Sequence, residues 1–117
     1  MEDFEVRAQS RYSWQSPRKV RLVADLVRGM DAVEAMGMLA LMPQRAATSV
    51  HKLLKSAVAN AENNFGMAAE DLHIVHISAD DGPIRRCRRF GARGRFKPIL
   101  KRSAHITVIL RERTAGE

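Results

Sequence analysis

Residues 50–61 read VHKLLKSAVANA, and this stretch carries the strongest periodic signal in the chain. Its apolar residues recur three or four positions apart, which is the spacing of one face of an α-helix. Lys52 and Lys55 lie off that apolar stripe. The pattern predicts an amphipathic helix that packs one face on a core and ends within the polar stretch 63–66, NNFG.

Two shorter helices are predicted before this one. Ser16 followed by Pro17 is typical of a helix start, and Gly29 is suited to end that helix in a left-handed conformation. Asp31 with Glu34 three residues later predicts a capping box for the second helix, which Pro43 stops. The chain therefore has three consecutive helices.

Strands are predicted on both sides of the helices. The first is marked by alternation over residues 4–15, where Phe4, Tyr12 and Trp14 fall on the apolar face. Residues 72–79 and 105–111 are rich in β-branched residues and read as the other two strands. We expect an α+β fold in one domain over residues 1–117, with a three-stranded antiparallel sheet packed on three helices in the order β-α-α-α-β-β.

The charge of the chain is concentrated in one segment. The net charge is +7, with 20 Lys or Arg against 13 Asp or Glu. Residues 82–111 contain ten of the basic residues and no acidic one, so the whole excess lies there. A near-neutral body with one cationic segment favours a polyanion as the partner.

That cationic segment is predicted to form a long β-hairpin over residues 80–102, which we call the arm. Asp80-Asp81-Gly82-Pro83 is turn chemistry at its base, and Gly91 and Gly94 permit positive φ at its tip. With about ten residues per strand at roughly 3.3 Å each, the tip would stand about 30 Å from the body. Unbound, such a two-stranded ribbon should be mobile, since like charges face each other across it.

The residue types of the arm favour RNA as the polyanion. Arginine forms bidentate contacts with phosphates and stacks on bases. By charge alone, the contacting residues are Arg85, Arg86, Arg88, Arg89 and Lys97. Phe90 and Phe96 would either stack on unpaired bases or pack across the hairpin.

Few residues point to another chemistry. Cys87 is the only cysteine, and no phosphate loop, serine elbow or metal motif occurs, so we expect neither an enzyme nor a cofactor. His73 and His76 should point to opposite faces of a strand and so could not share a metal. Asn60, Glu62, Asn63 and Asn64 either terminate a helix or contact RNA, and Asp80 with Asp81 reads as a turn.

The composition also bears on location. There is no run of about 18 apolar residues that could span a bilayer, and the acidic start MEDFEVR is unlike a signal peptide. We therefore expect a soluble, intracellular protein that does not associate with membranes.

A DNA-binding regulator is the main alternative function. The first two helices, separated by Gly29, are compatible with a helix-turn-helix. However, the would-be recognition helix, residues 31–42, contains Asp31 and Glu34 and no Arg or Lys. This charge is unfavourable for reading a duplex.

Several stretches together resemble the bacterial large-subunit ribosomal protein twenty-two family. They are SPRKVRLVADLVRG (16–29), PQRAA (43–47), SAVANAENN (56–64), DDGP (80–83), ARGR (92–95) and ILKRSAHITVIL (99–110). Each is moderately specific, and their collinear order over nearly the whole chain is highly specific.

The resemblance implies a structural protein of the large subunit that binds large-subunit ribosomal RNA and supports assembly. It further implies a hairpin that lines the nascent-peptide exit tunnel near the macrolide site. The partners would be ribosomal RNA, neighbouring ribosomal proteins and the nascent polypeptide, with no small-molecule substrate. Carried over by position, the RNA-binding residues would be Ser16, Arg18, Lys19, Arg21, Arg93, Arg95, Lys101, Arg102 and His105. By its own position at the foot of the arm, His105 could equally serve a hydrogen bond within the fold.

The tip departs from the family pattern. The family typically shows Pro-Arg-Ala-x-Gly-Arg, whereas this chain has FGARGR at 90–95. Phe90 thus stands for proline and Gly91 for arginine, and Arg93 supplies a charge nearby.

Overall fold

The helix predicted around residues 50–61 is the longest element of the fold. The computed structural model describes residues 5–112, apart from the side chains of residues 87–90 and 96–99. This helix, α3, spans Arg45–Phe65. Every residue of its predicted apolar stripe is buried: Val50, Leu53, Leu54, Ala57, Val58 and Ala61. It ends within the predicted stretch 63–66, and Gly66 forms a left-handed cap at φ 65°.

The two shorter helices are confirmed, although their caps differ in detail. Helix α1 spans Pro17–Val27 and α2 spans Ala32–Leu41. Gly29 has φ 83°, as predicted for the residue that turns the chain after α1. Asp31 is the N-cap residue of α2, but its side chain makes no capping hydrogen bond, so the predicted capping box is wrong. The backbone of Asp31 forms a β-bridge with His73 instead.

The three body strands form the predicted antiparallel sheet. They are β1 (Glu5–Ser13), β2 (Leu72–Asp81) and β5 (Ala104–Glu112), in the spatial order β1-β5-β2. Short 3₁₀ turns span Ala69–Asp71 and Ala92–Gly94, and the hairpin strands are β3 (Arg85–Phe90) and β4 (Phe96–Lys101). The fold is α+β, as expected, and the hairpin protrudes from it.

The core lies between the sheet and the three helices. The largest fully buried side chains come from both layers, and they include Leu39, Leu54, Leu72, Ile74, Ile77, Ile106 and Leu110. At roughly 1.5–3 kcal/mol for each buried side chain of this size, the contact between the layers is the main stabilising term of the body.

The two outer strands of the sheet have different free edges. The outer edge of β2 is covered by the α1–α2 loop, since Gly29 N–H donates to the Ile74 carbonyl at 3.1 Å and Ile74 N–H donates to the Met30 carbonyl at 2.9 Å. β1 has no such partner strand on its outer edge within residues 5–112. It is therefore the open edge of the described sheet.

The end of β1 departs from the predicted alternation. Its register with β5 shifts between Ser10 and Ser13, and Tyr12 has φ 60°. Tyr12 is consequently 55% exposed and Trp14 44% exposed, so neither joins the core as predicted. Phe4, also assigned to that face, lies outside the described residues.

A second bulge corrects the prediction for His73 and His76. The register of β2 skips at Val75: His73 pairs with Arg111 and His76 with Ile109. Because Arg111 and Ile109 are two residues apart, both histidines lie on the same outer face of the sheet, not on opposite faces. His76 Nε2 lies 3.2 Å from Ser78 Oγ.

Candidate nucleic-acid interface

The arm is an antiparallel ribbon whose cations oppose one another. β3 and β4 pair from Arg85 opposite Lys101 to Phe90 opposite Phe96, and Arg89 falls opposite Lys97. Two of the six register pairs therefore join two cationic residues, an arrangement that weakens a ribbon. The ribbon forms its own two-stranded sheet, separate from that of the body.

The arm makes the molecule long. Its principal extents are 67 × 26 × 21 Å and its radius of gyration is 17.4 Å. A compact chain of this length would have a radius of gyration of about 13 Å. The arm thus extends its charge well beyond the core that anchors it.

The tip turns through two consecutive residues in the left-handed region. Arg93 has φ 60° and Gly94 has φ 73°, which is the backbone pattern of the primed turns that join two-stranded ribbons. Gly91, which permits positive φ, does not use that freedom and has φ −105°, whereas Arg93 takes the left-handed conformation. Both Arg93 and Arg95 are exposed at the tip.

The root of the arm is held by a short set of contacts between its two strands. Gly82 N–H donates to the Ser103 carbonyl at 3.0 Å. Ser103 Oγ donates to the Pro83 carbonyl at 2.7 Å, and the Ser103 residue is 1% exposed. A Cβ on Gly82 would clash with Ser103 Oγ. Close approach of the backbone, and not positive φ, therefore requires glycine here.

Two aromatic residues of the displaced end of β1 contact the root. Arg85 lies with its guanidinium carbon 4.5 Å from the centroid of the Trp14 ring, in a cation–π contact. Tyr12 N–H donates to His105 Nδ1 at 3.2 Å, and the two rings meet edge to face at 5.1 Å. Sequence reasoning placed both aromatics in the core, so it missed their role. For His105 the hydrogen-bonding alternative is observed, while contact with RNA stays a prediction.

The predicted residues of α1 fall into two groups. Arg18 and Lys19 are exposed, and Ser16, Lys19 and Trp14 line one cavity of about 580 Å³. Because Trp14 also contacts Arg85, the first turn of α1 and the root of the arm lie at the same end of the body. Arg93 and Arg95 lie at the opposite end of the arm.

Arg21 is engaged within the fold. Its Nε donates to the Ala79 carbonyl at 2.9 Å, and its guanidinium lies 3.4 Å from the Asp81 carboxylate. Arg28 acts similarly, donating to the Ile77 carbonyl at 2.8 Å and to Asp25 at 2.7 Å. These arginines fix α1 to β2. An RNA contact by Arg21 stays a prediction. Its guanidinium would have to contact RNA while keeping its bonds to Ala79 and Asp81.

Other kinds of site find little support in the part of the chain that the structure describes. Among the side chains that the structure describes, no three His, Cys, Asp or Glu residues converge to hold a metal ion. None of the helices within residues 5–112 is long and apolar enough to cross a bilayer. Helix α2, the would-be recognition helix, contains no Lys or Arg.

Comparison with known proteins gives one consistent family. The model of the family described as Ribosomal protein L22p/L17e matches residues 8–111. The chain is 50% identical over 106 residues to the large ribosomal subunit protein uL22 of Caldicellulosiruptor saccharolyticus, covering 91% of this chain and 87% of the relative. It is 48% identical over 109 residues to uL22 of Clostridium novyi, covering 93% and 98%. The uL22 protein of Halothermothrix orenii is 43% identical over 112 residues, covering 96% and 99%.

Proposed function

Because this chain belongs to the Ribosomal protein L22p/L17e family, a family of large-subunit ribosomal proteins that are not enzymes, we propose that its arm binds large-subunit ribosomal RNA and lines the nascent-peptide exit tunnel. The protein supports subunit assembly through the same contact. The alternative of a DNA-binding regulator is not supported, because α2, the helix that would enter the groove, contains no Lys or Arg.

The observation that carries this proposal is the uncompensated charge of the arm. Arg85 faces Lys101 and Arg89 faces Lys97, on a ribbon that pairs with no third strand among residues 5–112. No described carboxylate forms an ion pair with Arg93, Arg95 or Arg102. Phosphates supply the missing negative charge, and their contact with arginine releases counterions, which makes binding favourable and strongly salt-dependent.

The first prediction concerns the tip. Replacing Arg93 and Arg95 by alanine removes two exposed cations without touching the core. We expect affinity for large-subunit ribosomal RNA to fall roughly tenfold, and the slope of log K against log salt to shrink by about 0.7–0.9 for each lost phosphate contact. Filter binding over a salt series measures both, and incorporation into large subunits in cells should fall in parallel.

The matched control is K52A/K55A, which removes the same charge from exposed positions on α3. If R93A/R95A and this control bind RNA equally well with the same salt slope, the arm is not the RNA contact. A preference of the unaltered protein for a defined DNA duplex over ribosomal RNA at physiological salt would support the regulator instead.

The tunnel-lining part of the proposal has its own test. A photo-crosslinking amino acid at position 93 should attach to ribosomal RNA and to a stalled nascent chain, because the tip faces both. The same group at position 55 should attach to neither nascent chain nor tunnel RNA. If position 93 crosslinks to RNA but not to the nascent chain, RNA binding by the arm is supported and its role in lining the tunnel is contradicted. Proximity of the tip to bound macrolides belongs to this same part of the proposal.

A further inference from the structure

An apolar groove lies between α1 and the connection from α2 to α3. Its volume is about 580 Å³, and Leu22 and Leu26 line it from α1, while Met42 and Ala46 line it from the connection. Leu22 is 64% exposed, Leu26 is 56% exposed, and Trp14 in the same groove is 44% exposed. Large apolar side chains that the fold leaves exposed together are typical of an interaction site.

Helix α1 has two apolar faces, and the core uses only one of them. The core-facing stripe of α1 is buried. Lys19, Leu22 and Leu26 form a second row, three and four positions apart, and all three are exposed. A row with this spacing forms a ridge against which another helix can pack. From Ser16 to Leu26 it extends about 15 Å, which is enough for roughly three turns of a partner helix.

The charged residues of the groove all have the same sign. Lys19 and Arg45 line it and are exposed, and neither forms an ion pair with a carboxylate that the structure describes. None of the described residues that line the groove is Asp or Glu. A partner with carboxylates beside its apolar residues would therefore complement the groove in charge.

We propose that this groove binds an amphipathic helix of another protein, with apolar residues three and four positions apart and Asp or Glu beside them. The apolar residues pack on Leu22, Leu26 and Met42, whose flexible side chain adapts to the partner. The carboxylates pair with Lys19 and Arg45. The proposal concerns the body, so it does not depend on RNA binding by the arm.

The side chains of the groove favour a protein over RNA as its occupant. Leu22 and Leu26 can neither donate hydrogen bonds to phosphates nor stack on bases as aromatic rings do. Trp14 is the one aromatic residue among the described residues of the lining, and Arg85 already lies over its ring. RNA and a second copy of this chain are the competing outcomes of the tests.

The first test measures binding of a synthetic peptide to the full chain by isothermal titration calorimetry. The probe is a helical peptide of about 15 residues, with leucines three and four apart and glutamates beside them. For L22A/L26A we expect an affinity at least about tenfold weaker than that of the unaltered protein. V33A/L41A is the matched control, since it removes two exposed apolar side chains of α2 that do not line the groove. The control should bind the peptide normally, and both variants should keep the unfolding midpoint.

A reversal of charge tests the predicted chemistry of the partner. The variant K19E/R45E should lose affinity for the glutamate peptide and gain affinity for the same peptide with lysine at every glutamate position. If the unaltered protein fails to bind the glutamate peptide, or binds both peptides equally well, the proposal is overturned.

The second test uses the protein within isolated large subunits. A photo-crosslinking amino acid at position 26 should attach to a protein segment that has the stated spacing of apolar and acidic residues, as identified by mass spectrometry. The same group at position 41 should not attach to that segment. Attachment from position 26 to RNA would overturn the proposal in favour of an RNA contact. A dimer of the free protein that L22A/L26A abolishes would overturn it in favour of self-association. Loss of RNA binding by the arm in R93A/R95A would leave the peptide results unchanged, so the two proposals fail separately.

Discussion

At the scale of single residues, Gly82 decides how closely the two strands of the arm's root can approach. Its missing Cβ leaves the space that Ser103 Oγ occupies while donating to the Pro83 carbonyl. Because Ser103 is buried, its hydroxyl can yield only by giving up that hydrogen bond.

We therefore predict that Gly82→Ala lowers the free energy of unfolding by about 1–3 kcal/mol, as overpacking at a tight site does. Urea unfolding followed by circular dichroism measures the change. Gly37→Ala is the matched control, since Gly37 lies inside α2 with open space around it. That change should raise stability by about 0.5–1 kcal/mol.

The double variant G82A/S103A identifies the cause of the effect. If the clash with Ser103 Oγ destabilises the root, the double variant should cost less than the sum of its two single changes. Simple additivity would show that Gly82 matters for another reason.

At the scale of elements, α1 carries arginines with different tasks on adjacent parts of its surface. Arg21 bonds to the Ala79 carbonyl and lies beside Asp81. Arg18 is exposed and forms no ion pair with a described residue. One helix therefore supplies both a brace for β2 and an exposed cation that the described fold does not pair.

This division predicts opposite outcomes for two alanine changes. Arg21→Ala should lower the free energy of unfolding by about 1 kcal/mol, since a half-exposed charged hydrogen bond is lost. Arg18→Ala should leave stability within about 0.5 kcal/mol and weaken RNA binding. Unfolding and filter-binding measurements on both variants test this prediction. Equal losses of stability would contradict the claim that Arg21 stabilises the fold and Arg18 does not.

The elements also show what the sequence can and cannot predict. The apolar stripes of α1 and α3 follow from local periodicity, so both helices could be located within a few residues. The bulges at Ser10–Ser13 and at Val75 depend on how β5 pairs with its neighbours. They reversed the placement of Tyr12, Trp14 and His76, which strict alternation could not foresee.

At the scale of the whole molecule, a compact body carries a long arm that has little core of its own. The body strands are paired into a sheet that packs on three helices, whereas β3 and β4 pair only with each other in the part of the chain that the structure describes. Local stability should therefore differ sharply between the two parts.

We predict that backbone amides of the ladder over 85–90 and 96–101 exchange hydrogen much faster than those of β5 in the free protein. Adding large-subunit RNA should slow exchange in the arm by an order of magnitude or more, because bound phosphates relieve its charge repulsion. Hydrogen exchange with mass spectrometry measures both states. If the arm amides are equally protected with and without RNA, charge repulsion does not loosen the free arm and RNA does not order it.

Only part of the candidate interface could be predicted from the sequence. Charge segregation identifies the arm because charge is a property of composition. The contacts at the root, in which Trp14 meets Arg85 and Tyr12 meets His105, depend on the bulge of β1 and could not be read from composition.

The cation–π contact at the root also has an optical consequence. The chain has a single tryptophan, and its indole lies against Arg85 where the arm leaves the body. All tryptophan emission therefore originates at this joint. The protein carries an intrinsic fluorophore that reports, without labelling, on any rearrangement between body and arm.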